Sequence, residues 1–253
     1  MSQASKPVTA CLIIIGNEIL SGRTVDANLP HVAKVLGQIG IRLAEARVVA
    51  DDEAAIVEAV NACRARHTYV FTTGGIGPTH DDITAACMAK AFGRKFGRNA
   101  EAERRLLAFY PPERVNEARM SMADMPEGAE LIDNPVSVAP GFRIENVFVL
   151  AGVPKIMQAM LDLVLPKLEG GVKIHARAAT VYAPEGDVAT GLAKIQETFP
   201  QLEIGSYPFF RPSGPGSTIV VRGADPEAID QAVEALYALA AGLGATIREA
   251  DAG

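Results

Sequence analysis

Residues 69–84, Tyr-Val-Phe-Thr-Thr-Gly-Gly-Ile-Gly-Pro-Thr-His-Asp-Asp-Ile-Thr, constrain this chain more than any other stretch. Tyr69, Val70, Phe71 and Thr72 are β-branched or aromatic and read as a short buried strand. Gly74, Gly75 and Gly77 strip side chains from the turn that follows, so its N–H groups can approach a ligand closely. Thr79 reads as an N-cap, and Asp82 three residues on makes a shortened capping box ahead of Ile83. Strand, glycine turn and helix start are how α/β proteins bind an anion on main-chain amides and the positive end of a helix. Asp81 and Asp82 narrow the chemistry. Both would repel a phosphate unless a cation lay between, and a divalent ion shared by carboxylate and phosphate oxygens removes the conflict. The plainer reading is that the acids only complement the helix dipole, at about 0.3–1 kcal/mol each. That role does not require a turn without Cβ atoms.

Upstream, Val8 to Ile15 is a continuous apolar run of strand length, the pattern of a parallel strand covered on both faces. Leu29, Val32, Ala33, Leu36 and Ile39 share a helical face that Gly40 ends. Ile41 to Val49 is a second strand, and Asp51 or Asp52 caps a helix carrying Ile56, Val57 and Val60. The first 92 residues thus alternate β-α-β-α-β-α, which predicts a three-layer open, mostly parallel sheet with helices on both faces. Ligands of such sheets sit beyond the carboxyl ends of the strands. Gly16, Asn17, Glu18, Asp26 and Asn28 follow the first strand and could face the same cavity as Asp81 and Asp82. Singly, Asp26 reads equally as a helix cap, Asn28 as a solvated first-turn residue and Glu18 as a loop charge.

After Phe92 the pattern predicts helices at Glu101–Tyr110 and Pro112–Met122, separated by Pro111-Pro112. Arg104, Arg105, Arg114 and Arg119 are candidate phosphate clamps or, more commonly, a solvated charged face. A strand is expected at Asn146–Ala151, then a helix begun by Gly152-Val153-Pro154 with Ile156, Met157, Met160, Leu161, Val164 and Leu165 inward. Glu169-Gly170-Gly171 marks a boundary, giving an α/β domain at 1–168 and a small α+β domain at 172–253. The second reads β-α-β-β-α-β, the ferredoxin-like order, with a helix start at Asp225-Pro226.

Several of these stretches carry a resemblance. Thr73-Gly74-Gly75-Ile76-Gly77-Pro78-Thr79 with Asp81-Asp82-Ile83-Thr84 resembles the signature of the molybdopterin-binding-like domain. That family includes molybdopterin adenylyltransferases, the N-terminal domain of competence/damage-inducible protein A, and the domain fused to eukaryotic FAD synthases. Gly16 to Gly22 with Asp26-Ala27-Asn28 is similar to its second signature, although many members have Asp or Thr in place of Asn17. Asn116, Arg119 and Met122 fit its Asn-x-x-Arg-x-x-Met pattern. Asn134 to Phe142, including Gly141, and Ala151-Gly152-Val153-Pro154-Lys155-Ile156-Met157 are similar to the FAD-synthase-fused branch, and Ile204 to Pro208 resembles the same branch.

The resemblance implies a ligand site of Gly16, Asn17, Glu18, Asp26, Asn28, Thr73, Gly74, Gly75, Gly77, Pro78, Thr79, Arg119, Gly141, Gly152 and Pro154, with Asp81 and Asp82 catalytic and metal-binding. It implies molybdopterin or an ADP-containing nucleotide as ligand, with Mg, Co or Mn as the divalent cation. Three activities follow: a nucleotide pyrophosphatase acting on ADP-ribose or FAD, a non-catalytic pterin or nucleotide binder, and a molybdopterin adenylyltransferase. A homo-oligomer is implied, with dimer and trimer both open.

Composition sets the outer bounds. A net charge of −6 argues against nucleic acid as the main partner. Cys11, Cys63 and Cys87 form no CxxC pair and are odd in number, which fits a reduced, cytoplasmic setting. The polar stretch Met1–Thr9 and the short apolar run after it predict neither signal peptide nor membrane anchor. P-loop, HExxH and GxSxG patterns are absent.

Overall fold

The computed structural model describes residues 8–211 and 214–250. The polar stretch at 1–7 lies outside them. The chain divides into two units, Met1–Gly171 and Val172–Gly253.

The first unit opens with β1 (Thr9–Ile15), α1 (Asn17–Leu20), α2 (Asn28–Gln38), β2 (Arg42–Val49), α3 (Glu53–Arg64), β3 (Tyr69–Thr73) and α4 (Thr84–Ala91). Alternation along β1 explains its unbroken hydrophobicity. Cys11, Ile13 and Ile15 pack with residues of α3 and α4, whereas Ala10, Leu12 and Ile14 pack on the opposite face with Val32 and Leu36 of α2. β2 shows the other pattern, alternately exposed and half-buried, as expected of an edge.

There follow β4 (Phe96–Arg98), α5 (Ala100–Phe109), α6 (Glu117–Met120), β5 (Asp124–Pro126), β6 (Glu130–Ile132), β7 (Gly141–Ile144), β8 (Val147–Leu150) and α7 (Pro154–Val164). The main sheet has the order β2-β1-β3-β8-β7-β6. Its first four strands are parallel, β7 runs antiparallel to β8, and β6 runs antiparallel to β7. The chain reverses its direction of travel across the sheet between β1 and β3. In open α/β sheets ligands bind beyond the strand ends at such a switch point.

Two expectations need correction. Pro112–Met122 is not one helix. A 3-10 turn at Pro112–Arg114 gives way to extended backbone at Val115 and Asn116, and α6 then starts under an Asn116 cap that accepts from Arg119 N at 2.9 Å. Thr79 is not a helix cap either, because α4 begins five residues later at Thr84. The short strands β4 to β7 lie where the sequence pattern predicts no strand.

The second unit contains β9 (His175–Tyr182), α8 (Glu185–Thr198), β10 (Glu203–Arg211), β11 (Gly214–Gly223), α9 (Pro226–Gly242) and β12 (Thr246–Ala250). Its antiparallel sheet, ordered β10-β11-β9-β12, has the ferredoxin-like topology. Asp225 caps α9 through Glu227 N at 3.0 Å, and Ile229, Ala232, Val233, Leu236 and Ala240 form its buried face.

Candidate functional site

The glycine turn is held by the protein's own atoms at every point where a side chain would begin. Gly74 and Gly75 have φ of 102° and 69°, in the left-handed region that favours glycine. A Cβ on Gly74 would stand 2.2 Å from the Ile15 carbonyl oxygen, and one on Gly75 would stand 2.1 Å from Thr84 Oγ1. At Gly77 it would meet the Asp82 carboxylate at 2.7 Å. The missing side chains therefore let the turn close onto the end of β1 and the start of α4. Thr84 locks this arrangement, its hydroxyl donating to Gly74 O at 3.0 Å and its N–H to Gly75 O at 3.0 Å.

Closing the turn leaves a row of donors unused. Among the described residues, the N–H groups of Gly75, Ile76 and Gly77 have no protein partner. Successive amides in a turn that enters left-handed backbone form an anion-binding concavity. Buried side-chain oxygens beside the turn are also unpartnered: Thr72 Oγ1 and Thr73 Oγ1 of β3, and Asn28 Oδ1 at the start of α2. Buried polar atoms are almost always paired, so these mark a place where a ligand or water completes the structure.

The loops of the other signatures converge here. Asn28 Nδ2 donates to Gly152 O at 2.9 Å, and a Cβ on Gly152 would lie 3.1 Å from Gly74 Cα. Pro154 is the first residue of α7, immediately beyond. Gly16 continues β1, its N–H bonded to Val49 O at 3.1 Å, and the Glu18 carboxylate folds back over it. Asn17 N donates to Asp51 at 2.8 Å, so of the two candidate caps of α3 Asp51 supports this loop, while Asp52 caps the helix through Ala55 N at 2.9 Å. Asp26 has the capping role, accepting from Leu29 N at 2.7 Å.

The two acids differ. Asp82 accepts from both the Thr79 N–H, at 2.8 Å, and the Thr79 hydroxyl, which pins Gly77 to Asp82 into a compact turn. Asp81 stays exposed, and the Thr79 hydroxyl beside it, followed by its own backbone amide, lowers its carboxyl below the usual range. His80 Nδ1 lies 3.9 Å from Asp81, and its side chain is 97% exposed. Among the described residues, no third His, Cys, Asp or Glu joins these acids closely enough to complete a protein-only metal cage. Two carboxylates alone suit a hard cation that takes its remaining ligands from phosphate and water.

The remaining candidates make contacts within the chain or lie at its surface. Arg119 donates to Arg114 O at 2.8 Å and stacks over Tyr110. Arg104 and Arg105 are both paired with Glu101, and Arg105 also bonds Asp133. Gly141 is buried in β7, where a Cβ would stand 2.3 Å from Val149 O. Pro78 is exposed at the tip of the turn.

An open, mostly parallel sheet with an amide-lined turn at its switch point is the layout of the α/β folds whose ligands sit beyond the strand ends. Residues 11–170 match the family described as a probable molybdopterin binding domain, and residues 173–244 match the middle domain of FAD synthase. The chain belongs to the molybdopterin-binding-domain family. A protein of Archaeoglobus fulgidus is 35% identical over 224 residues, covering 88% of this chain and 94% of its own. A CinA-like protein of Desulfosudis oleivorans is 34% identical over 77% of this chain, which spans 50% of that protein. The crystal structure of CinA from Thermoplasma acidophilum, described as of unknown function, superposes with a TM-score of 0.61 at 32% identity. It covers 64% of this chain and 99% of its own. Among the described residues, no helix is long and apolar enough to cross a membrane.

Proposed function

We propose that the first unit binds the diphosphate of an ADP-containing nucleotide, of the ADP-ribose or FAD type, and hydrolyses it with a divalent cation. The observation that carries this reading is the row of three unpartnered amides at Gly75, Ile76 and Gly77, next to the buried unpartnered oxygens of Asn28 and Thr73. The amides accept negative charge on phosphate oxygens. Because they are held in place by Gly74, Thr84 and Asp82, they need no reorganisation as charge develops. Asn28 and Thr73 suit the polar edge of the ligand. Asp81 and the outer oxygen of Asp82 would hold Mg, Co or Mn, which supplies Lewis acidity and a lowered pKa for water. Phosphoryl-type transfer depends mainly on positioning and electrostatics, so amides and two acids are an adequate set.

A second reading, binding of a pterin or nucleotide without turnover, is favoured by one specific contact. Asp82 already accepts two hydrogen bonds from Thr79, which gives it a structural role with or without a cation. Incubation with ADP-ribose and FAD in the presence of each metal distinguishes the two. The pyrophosphatase reading expects AMP release that falls at least about tenfold in Asp81→Ala, a loss of about 1.4 kcal/mol of transition-state stabilisation. Tight binding by calorimetry with no AMP under any metal overturns it in favour of the binder. Adenylyl transfer to molybdopterin is tested by molybdoenzyme activity in a deletion strain. A homo-oligomer, dimer or trimer, is part of the same proposal and is read by light scattering.

A further inference from the structure

Away from the glycine turn, Cys11, Glu45 and His67 meet, with Cys63 beside Cys11, in a way the proposed reaction does not use. Cys11 of β1 and Cys63 of α3 are both fully buried, with their sulfurs 3.1 Å apart. His67, just past the end of α3, places Nε2 3.0 Å from Glu45 Oε2 of β2. The Cys11 sulfur, a Glu45 oxygen and a His67 nitrogen all lie within 4.8 Å of one another.

We propose that Cys11, His67 and Glu45, with Cys63 drawn in from beside Cys11, form a structural site for zinc or a cation of the same borderline-soft class. Zn–S bonds of about 2.3 Å and Zn–N or Zn–O bonds of about 2.0–2.2 Å put the donors of one tetrahedral ion roughly 3.3–3.8 Å apart. His67 Nε2 and Glu45 Oε2, 3.0 Å apart, and the two sulfurs, 3.1 Å apart, fall just short of that range, so the sulfurs would part by roughly 0.7 Å and Cys63 would swing toward the other two donors to complete the set. Cys63 and His67 are spaced Cys-x3-His, and the helix end between them is fixed by the bond from His67 N to Cys63 O at 3.0 Å.

The surrounding contacts orient the donors as metal sites require. Thr9 Oγ1 lies 3.3 Å from His67 Nδ1 and leaves Nε2 turned toward Glu45. Arg47 donates to Glu45 Oε1 at 2.7 Å, while Oε2, the oxygen that faces His67, also accepts from Arg66, so an ion would share or replace that contact. Two thiolates and a carboxylate around a divalent ion leave a net charge of about −1, which Arg47 and Arg66, both bonded to Glu45, offset. His67 and Glu45 are 10% and 24% exposed, which gives an ion a way in. A bound ion would tie β1, β2 and the end of α3 together. It differs in kind from the cation proposed at Asp81 and Asp82, which has only oxygen donors.

Cobalt titration of the chelator-treated full chain tests the proposal, because a thiolate-to-cobalt charge-transfer band in the near ultraviolet reports sulfur ligation alone. The expected result is a band that saturates at about one cobalt per chain and is displaced by zinc, with a higher melting temperature when zinc is present. Cys11→Ser and Cys63→Ser should each lose most of the band, and Glu45→Gln should weaken cobalt affinity while keeping it. Asp81→Ala should leave it unchanged, so failure of the glycine-turn reading is separable. Circular dichroism confirms that each variant is folded, and the wild-type titration stands even where a variant is not. Absence of the band in the wild type overturns the proposal, as does a band that survives both cysteine substitutions. Recovery of Cys11 and Cys63 as a disulfide from protein that takes up no cobalt or zinc after reduction also overturns it.

Discussion

Replacing Gly74 with alanine separates two explanations of the glycine turn. If the turn lacks side chains because it closes on the protein, the cost falls on folding. If it lacks them only for ligand approach, the cost falls on binding. At φ 102° an alanine is strained, by about 1–2 kcal/mol on the left-handed scale. Its Cβ would also stand 2.2 Å from the Ile15 carbonyl oxygen, and pushing apart packed segments costs a further 1–3 kcal/mol or so. The sum centres on about 3.5 kcal/mol, or roughly 7–14 °C in melting temperature for a domain of this size.

Two other glycines calibrate the figure. Gly22, with φ 71° and no atom within 4 Å of its Cβ position, should show the backbone cost alone. Gly37, inside α2 with open space around it, should gain about 0.4–1 kcal/mol as alanine. Urea unfolding read by circular dichroism, with hydrogen exchange at residues 69–84 assigning the transition, measures all three. A Gly74→Ala protein within about 0.5 kcal/mol of wild type that has lost ligand binding would refute the packing argument.

Other outcomes follow from single contacts. Asn134, 7% exposed, bonds Ser137 Oγ and Ala139 O and accepts from Val136 N and Ser137 N, holding Val138 at a φ of 64°. Asn134→Ala should cost about 3 kcal/mol in urea unfolding, and a value below about 1 would contradict its role as the loop's anchor. A double-mutant cycle of Thr79→Val with Asp82→Ala should give a coupling of about 1–2 kcal/mol in the absence of ligand; near-zero coupling would mean that Asp82 does not pin the turn. Burial pushes the Cys87 thiol up from 9.0 to about 11. Since the fold binds that proton more tightly, the resulting stability is complete below pH 9 and fades as pH climbs through about 11. Wild type should therefore lose stability relative to Cys87→Ala across that window, and parallel curves would disprove it.

The β1 and β3 strands, the helices between them and the β-α-β-β-α-β order of the second unit were legible because burial on both faces, or on one, writes its period into neighbouring residues. The glycine turn was legible for the same reason, since residues 73–84 carry its whole backbone requirement. Its interior was not. Thr79 and Asp82 have the spacing of a capping box, and only the packing of Thr84 against Gly74 and Gly75 moved the helix start beyond them. The antiparallel β6 and β7, three and four residues long, are too short for a period to register. Asp51 beneath Asn17, and Cys11 beside Cys63, Glu45 and His67, join residues 34 or more positions apart along the chain, or pair them across strands. A linear pattern records which way each side chain faces relative to its neighbours. Which distant side chain it meets is fixed only when strand order and helix packing bring the segments together.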